Sequence, residues 1–281
     1  MYTVSIDRIG LVMPIVDKEM HGHFCGLFSE MKGEPGYTYW KTKYQTNVRI
    51  PLSEQAKLGM QVGISHHKPY VRFDFKPADL GPTEWEQMHM HLGYMLEYGY
   101  ASVLAESHVT YLEIAIDCTG INWKEHFTFD GQLRNSGWYP DYYHPCPTGY
   151  LGRRGSNRVI RGYDRVARLK ALGKAVGTEP ITRIEASLRK LGRKVPALPS
   201  VENPFKSVGV CRFADAEAQS SDKGWKQFLQ HCRYIGACEA MQLAGAAKKK
   251  YLARLSSVGC DWWSPISIWA LYPEALKALH G

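Results

Sequence analysis

The stretch Gly149–Arg165, GYLGRRGSNRVIRGYDR, holds two short alternating segments around a polar, glycine-containing centre. Gly149–Leu151 and Arg158–Asp164 read as the strands of a hairpin with RRGSN at its turn. In the second segment Val159, Arg161 and Tyr163 fall on one face, because side chains alternate along a strand. A short basic helix is then expected from Asp164 to Leu172, ended by Gly173. A period of two that switches at once to helical spacing marks a chain that mixes strands and helices.

Working outward, Tyr70–Lys76 puts Arg72, Asp74 and Lys76 on one face and Val71, Phe73 and Phe75 on the other. Val109–Asp117 sets Glu113, Ala115 and Asp117 against Leu112, Ile114 and Ile116. Ile181–Lys190 sets Arg183, Glu185, Ser187 and Arg189 against Ile184, Ala186 and Leu188. Further strands are expected over Tyr2–Val16 and Asn47–Leu52, a turn over Gly33–Tyr39, and a loop over 119–148. The fold class expected is α+β: a mixed, largely antiparallel central sheet with helices on one face, plus a helical C-terminal segment. Pro196, Pro199 and Pro204 mark a linker, and from about Lys223 the spacing is helical. This suggests an α+β catalytic body over 1–200 and a helical segment over 201–281.

Histidine and cysteine carry less. His89-Met-His91 has the form of a metal-binding pair, but it lies in a helical stretch from Thr83 to about Tyr100, where residues two apart point about 200° apart. His21 and His23 flank Gly22 in an expected loop. The seven cysteines have irregular spacing and no CxxC, which fits unpaired thiols in a reducing cytoplasm rather than a zinc site. No apolar run approaches the roughly 18 residues of a membrane span, and the N-terminus lacks a basic-then-apolar signal pattern. A cytoplasmic protein without a membrane partner is expected.

The charge is concentrated. The chain has 35 Lys+Arg against 27 Asp+Glu, a net +8. Residues 151–200 hold 13 of the bases, nine of them Arg, and the three acids Asp164, Glu179 and Glu185, so this block is +10 and the rest of the chain is −2. Arginine outnumbering lysine suits forked recognition of phosphate. Arg153, Arg154, Ser156, Asn157 and Arg158, at the hairpin tip, are candidates for gripping DNA phosphates or a groove. Trp138, Tyr139, Tyr142 and Tyr143 could stack on unpaired bases or form a loop core. Lys248–Lys250 with Tyr251 and Arg254 reads as a solvated helix face.

Four of these segments, in order, resemble motifs of Rep_trans-type rolling-circle replication initiators of small plasmids and filamentous phages. They are YVRFDFKPADL from Tyr70, VTYLEIAIDCTG from Val109, GYLGRRGSNRVIRGYDR from Gly149 and ITRIEASLRK from Ile181. The resemblance spans about residues 70–190. It implies Tyr163 as the nucleophile and Glu113, Asp117 and Glu185 as active-site acids, with Mg²⁺ or Mn²⁺ as cofactor. It also implies DNA as partner, both the double-stranded origin and the nicked single strand, together with a host helicase and a homodimer. The chain departs from the pattern at Gly162, Arg165, Glu113 and Tyr111, where the family has a larger apolar residue, Lys, Asp and Arg.

The chemistry such a site needs is plain. Cutting one strand while conserving bond energy calls for a covalent nucleophile. A tyrosine hydroxyl attacking phosphorus leaves a 5′-phosphotyrosine and a free 3′-OH that primes synthesis, and reversal rejoins the strand. A phenol with an ordinary pKa of about 10 needs help near neutrality. A metal held by carboxylates can polarise the phosphate, and Arg161 and Arg183 can stabilise the charge that develops. Glu113 and Asp117 share a face but lie about 13 Å apart on one strand, so Glu113 with Glu185 is the preferred ligand pair, Asp117 ranks lower and Asp74 is an outside candidate. The other class of reading is a non-catalytic, sequence-specific DNA-binding regulator on the same scaffold.

Overall fold

A computed structural model describes residues 1–281 except 1, 33, 35, 36, 39–43, 45, 98, 132–135, 140–147, 154 and 281. Its elements run β1 (Tyr2–Pro14), α1 (Lys18–Met31), β2 (Thr46–Pro51), β3 (Lys57–Ser65), β4 (Lys68–Phe75), α2 (Pro82–Met95), α3 (Gly99–Glu106) and β5 (His108–Thr119). Then come β6 (His126–Asp130), β7 (Ser136–Tyr139), β8 (Thr148–Leu151), β9 (Arg158–Asp164), α4 (Arg165–Ala171) and β10 (Ile181–Lys194). The chain finishes with β11 (Val208–Arg212), α5 (Phe213–Ala218), α6 (Lys223–Ile235), α7 (Ala237–Leu243), α8 (Lys248–Ser257), α9 (Pro265–Trp269) and α10 (Tyr272–Lys277). It is an α+β fold, and the pairs β1–β4, β2–β3, β3–β4, β6–β11, β7–β8 and β8–β9 are antiparallel.

Two compact units, each discontinuous in sequence, make up the chain. The first holds residues 5–113, 188–201 and 273–281; the second holds 1–4, 114–187 and 202–272. In the first, the strands follow the order β2-β3-β4-β1-β5. The registers Val48↔Met60↔Phe73↔Leu11 and Ile50↔Leu58 stack apolar residues on one face. Phe24, Leu27 and Phe28 of α1 and Trp85, Met88 and Leu92 of α2 are buried with them. Phe75 meets Trp85 and Tyr100 edge to face, at 6.1 Å in each case, a preferred aromatic geometry.

In the second unit the order is β5-β10-β9-β8-β7. The hairpin expected at RRGSN is present, with Gly149↔Gly162, Tyr150↔Arg161 and Leu151↔Ile160 in register. A separate two-stranded sheet, β6 with β11, carries Phe127, Phe129 and Cys211 into a core with Phe213 of α5 and Trp225, Phe228, Leu229, Tyr251 and Leu255 of α6 and α8. Among the described residues, no helix is long and apolar enough to cross a membrane.

Several expectations are corrected. His21 and His23 lie within helix α1, whose N-cap Asp17 accepts from the Met20 N–H. The helix from Thr83 stops at Met95 because Leu96 turns extended, and α3 starts afresh at Gly99. The 119–148 loop contains strand β6, all five of whose residues are buried. The proline-marked stretch near 196 is a 3₁₀ helix, Val195–Ser200, with Val195 and Leu198 buried. The six described cysteines are free thiols, and burial first of all pushes Cys118 and Cys211 up to about 12.

Candidate active site

The site grows from three strands of the second unit. Alternation on β9 turns Arg161 and Tyr163 to the same face, and β10 turns Arg183 and Glu185 to meet them. The Tyr163 hydroxyl donates to Glu185 Oε1 at 2.6 Å. Arg161 Nε donates to Glu185 Oε2, and Arg183 Nη1 lies 3.6 Å from Glu185 Oε1. Arg183 also forks onto Asp117 of β5, its Nε on Oδ1 at 2.7 Å and its Nη2 on Oδ2 at 2.8 Å. This two-pronged geometry fixes a guanidinium on a carboxylate.

Helix α4 adds two further cations. The Asp164 carboxylate accepts from the Ala167 N–H at 2.8 Å, an N-cap that starts the helix directly after Tyr163. Arg165, the first residue of the helix, donates to Asp117 Oδ2. One turn on, the Arg168 guanidinium sits over the Tyr163 ring, 4.7 Å from its centroid. The group formed by Tyr163, Glu185 and Asp117 is therefore ringed by four arginines: Arg168 on the phenol ring, Arg161 on Glu185, Arg165 on Asp117 and Arg183 between the two carboxylates. Arg168 escaped the sequence reading. The available signal was the N-cap Asp164, which puts Arg165 and Arg168, three apart, on neighbouring positions of one helix face.

Burial sorts these groups. Tyr163 is 5% exposed, and the Glu185 side chain 1%, whereas Arg161 keeps 23% of its side-chain surface and Arg165 keeps 34%. Burial raises the Tyr163 pKa most, the Glu185 charge raises it further, and Arg183 and Arg168 pull against them; the net shift is well above the ordinary phenol value. The phenol thus stays protonated at neutral pH with its proton directed at a carboxylate.

Gly162 departs from the family pattern for a steric reason. A Cβ there would come within 2.5 Å of the Trp123 ring. Trp123, 1% exposed, lies against β9 behind the tyrosine, so the strand accepts only glycine at that point without displacing a buried indole.

The structure brings Tyr163, Arg161, Arg183, Glu185 and Asp117 together. Glu113 belongs to the other unit, where it is 3% exposed. Arg158 opens β9 rather than capping the tip, and its Nη2 bonds Asp130 at 3.2 Å and Ser207 at 3.3 Å. Arg153 and Asn157 are exposed, Ser156 donates its N–H to the Arg153 carbonyl, and Arg154 lies outside the described residues. Trp138 and Tyr139 lie on β7, and Tyr142, Tyr143 and Cys146 lie outside the described residues. Lys250 and Arg254 face Asp222 at 3.2 and 3.9 Å, as a charged helix face does. His89 and His91 sit on α2.

The fit to a divalent cation can be judged from the donors. Both oxygens of Asp117 and both of Glu185 already accept from arginine or tyrosine. Among the described residues no group of three or more His, Cys, Asp or Glu is placed to hold a metal ion. A cation at Glu185 or Asp117 would have to displace a guanidinium, so this arrangement does not fit one.

No family model matches the chain, and no curated protein matches it. Among solved structures, the chain is similar to a rolling circle replication initiator protein from Geobacillus stearothermophilus, with a TM-score of 0.43 and 14% identity over 83% of this chain and 97% of that one.

Proposed function

We propose that the chain nicks and rejoins one DNA strand at a specific site through Tyr163, and so initiates rolling-circle replication of a plasmid or phage. The observation that carries this reading is the 2.6 Å hydrogen bond from the Tyr163 hydroxyl to Glu185 inside a ring of four arginines. As the phenol oxygen bonds to phosphorus, its proton passes to Glu185 Oε1. The bond from phosphorus to the 3′ oxygen breaks, and that oxygen leaves as a hydroxyl after taking a proton from solvent. Arg161 and Arg165, the partly exposed members of the ring, are placed to receive the phosphate, and Arg183 and Arg168 hold the carboxylate and the phenol in position. The Mg²⁺ or Mn²⁺ and the ligand set Glu113, Glu185 and Asp117 come from the resemblance alone, and no step here runs through the metal. A host helicase and a homodimer stand on the same footing.

The test is incubation of supercoiled DNA of the parent replicon with the full chain, with and without EDTA, followed by mapping of the covalently modified residue. A nick with an adduct on Tyr163 supports the reading; an adduct on another residue overturns the assignment of the nucleophile. A second reading, a DNA-binding regulator without chemistry, is favoured by the 5% exposure of Tyr163, which leaves little of that side chain open to a phosphate. It expects site-specific binding and no adduct.

A further inference from the structure

The sheet of the first unit has a second face, opposite its helices, that the proposed chemistry does not use. In antiparallel strands, residues directly opposite each other point the same way. The register Arg49↔Gly59↔Asp74↔Gly10 therefore forms one row across β2, β3, β4 and β1, and Asn47↔Gln61↔Arg72↔Val12 forms the next. By the same alternation Arg8, Lys57, Lys68 and Tyr70 belong to this face. Tyr111 of β5 joins them, since its Cβ stands 3.1 Å from where a Gly10 Cβ would be.

The face is flat because its large side chains lie down on glycine. A Cβ on Gly10 would come within 2.9 Å of the Arg72 guanidinium, and one on Gly63 within 2.7 Å of the Tyr70 ring and 2.9 Å of Tyr44. Tyr44 and Tyr70 meet edge to face at 6.3 Å. Arg8 and Arg189 both lie over the Tyr111 ring, at 5.6 and 5.7 Å.

The charge balance of this face is lopsided. Arg8, Arg49, Lys57, Lys68, Arg72 and Arg189 stand against Asp74 and Glu113. Asp74 is shared by Arg8 at 2.7 Å and Arg72 at 2.9 Å. Arg189 has no carboxylate partner among the described residues, and the Arg72 Nε is buried without an acceptor. Two guanidiniums gathered about one ring raise the local positive potential, which an anion bound at either relieves.

From this face we infer a second nucleic-acid site, which binds a single strand of DNA: its phosphates on Arg8, Arg49 and Arg189, its bases on Tyr44, Tyr70 and the flat Arg72. Four strands at about 4.8 Å spacing make a platform roughly 15 Å wide, and aromatic rings with guanidiniums hold unpaired bases by stacking. A duplex offers only its phosphates to such a surface, because its base faces are hidden. The choice of DNA rests on the proposed nicking, which would release a single strand; the surface itself requires no chemistry.

Fluorescence anisotropy with a labelled single-stranded oligonucleotide of mixed sequence tests this, using the full chain in a Tyr163→Phe background so that no cleavage intervenes. The combined variant Arg8→Gln, Arg49→Gln and Arg189→Gln should weaken binding at least tenfold at low salt. It should also lower the slope of log affinity on log salt by about 2, at ~0.7 for each phosphate no longer neutralised. Its melting curve should stay close to that of the parent, because Arg72 still holds Asp74. An oligonucleotide carrying 5-iodouracil should crosslink to Tyr70 or Tyr44. Unchanged affinity and slope, crosslinks confined to residues 114–187 or 202–272, or a duplex competitor as effective as single strand would each overturn the inference. Absence of nicking on the parent replicon would overturn the proposed function and leave these readouts standing.

Discussion

Two polar clusters in this chain use the same ingredients, arginine, carboxylate and tyrosine, and differ in burial. Around Tyr163 the side chains of Arg183, Asp117 and Glu185 are 8, 10 and 1% exposed. On the first unit's sheet, Arg8, Arg72 and Asp74 are 45, 24 and 18% exposed. Where water is excluded, each charge must find a matched partner and a phenol can be held against a base, which is the setting for chemistry. Where water reaches, the same pairs are weak and exchangeable, which is the setting for binding.

Substitutions can break or sharpen that contrast. Tyr163→Phe should lower nicking by about 10⁴-fold or more, read by loss of the covalent adduct, while oligonucleotide binding stays within about twofold. Glu185→Gln keeps an acceptor but removes the base, so the single-turnover nicking rate should fall by about 10²–10⁴. Asp117→Asn removes the forked counter-charge of buried Arg183 and leaves it the longer 3.6 Å contact to Glu185, and should destabilise the fold by about 3 kcal/mol in urea unfolding; a loss under about 1 kcal/mol would mean the pair is effectively solvated.

Alkali gives a smaller effect. The Tyr163 pKa is raised in the folded state, so the folded chain binds that proton more tightly than the unfolded chain. The resulting stability is present below about pH 10, the unfolded phenol value, and is lost as pH rises through the folded value. Urea midpoints should therefore fall in alkali, and fall less steeply in Tyr163→Phe. Tyr100 and Tyr272, also raised by burial, keep the remaining slope. Smallest of all, Arg8→Gln should cost under ~1 kcal/mol, because Arg8 is half exposed and Arg72 still holds Asp74.

The strands that carry the buried cluster were legible because each alternates cleanly, and alternation is what places Arg161 beside Tyr163 and Arg183 beside Glu185. Helix α1 was hidden by Gly22 and Gly26 and by the polar HGH in its second turn, and it forms because Phe24, Leu27 and Phe28 are drawn onto the sheet. Strand β3, KLGMQVGIS, lacks a β-branched run, and its glycines serve the flat face rather than strand propensity. Strand β6, HFTFD, does alternate, but it is only five residues long within a Gly-, Asn- and aromatic-rich stretch, and its polar positions are buried as well as its phenylalanines. Charge was the least legible property. Counting along the chain left everything outside 151–200 at −2, yet register gathers Arg8, Arg49, Lys57, Lys68 and Arg72 from four separate strands onto one surface. A linear count cannot see a sum taken across strands.

The N-cap at Asp164 has an engineering consequence. It joins the strand bearing Tyr163 to the helix bearing Arg165 and Arg168 with no intervening loop, so six consecutive residues, 163–168, set the phase of the phenol against both guanidiniums. One residue inserted after Asp164 would rotate the helix by about 100° and carry both arginines off the ring and off Asp117 while leaving every side chain intact. The joint is therefore intolerant of length change, and an alanine inserted there should be as harmful as losing two arginines at once.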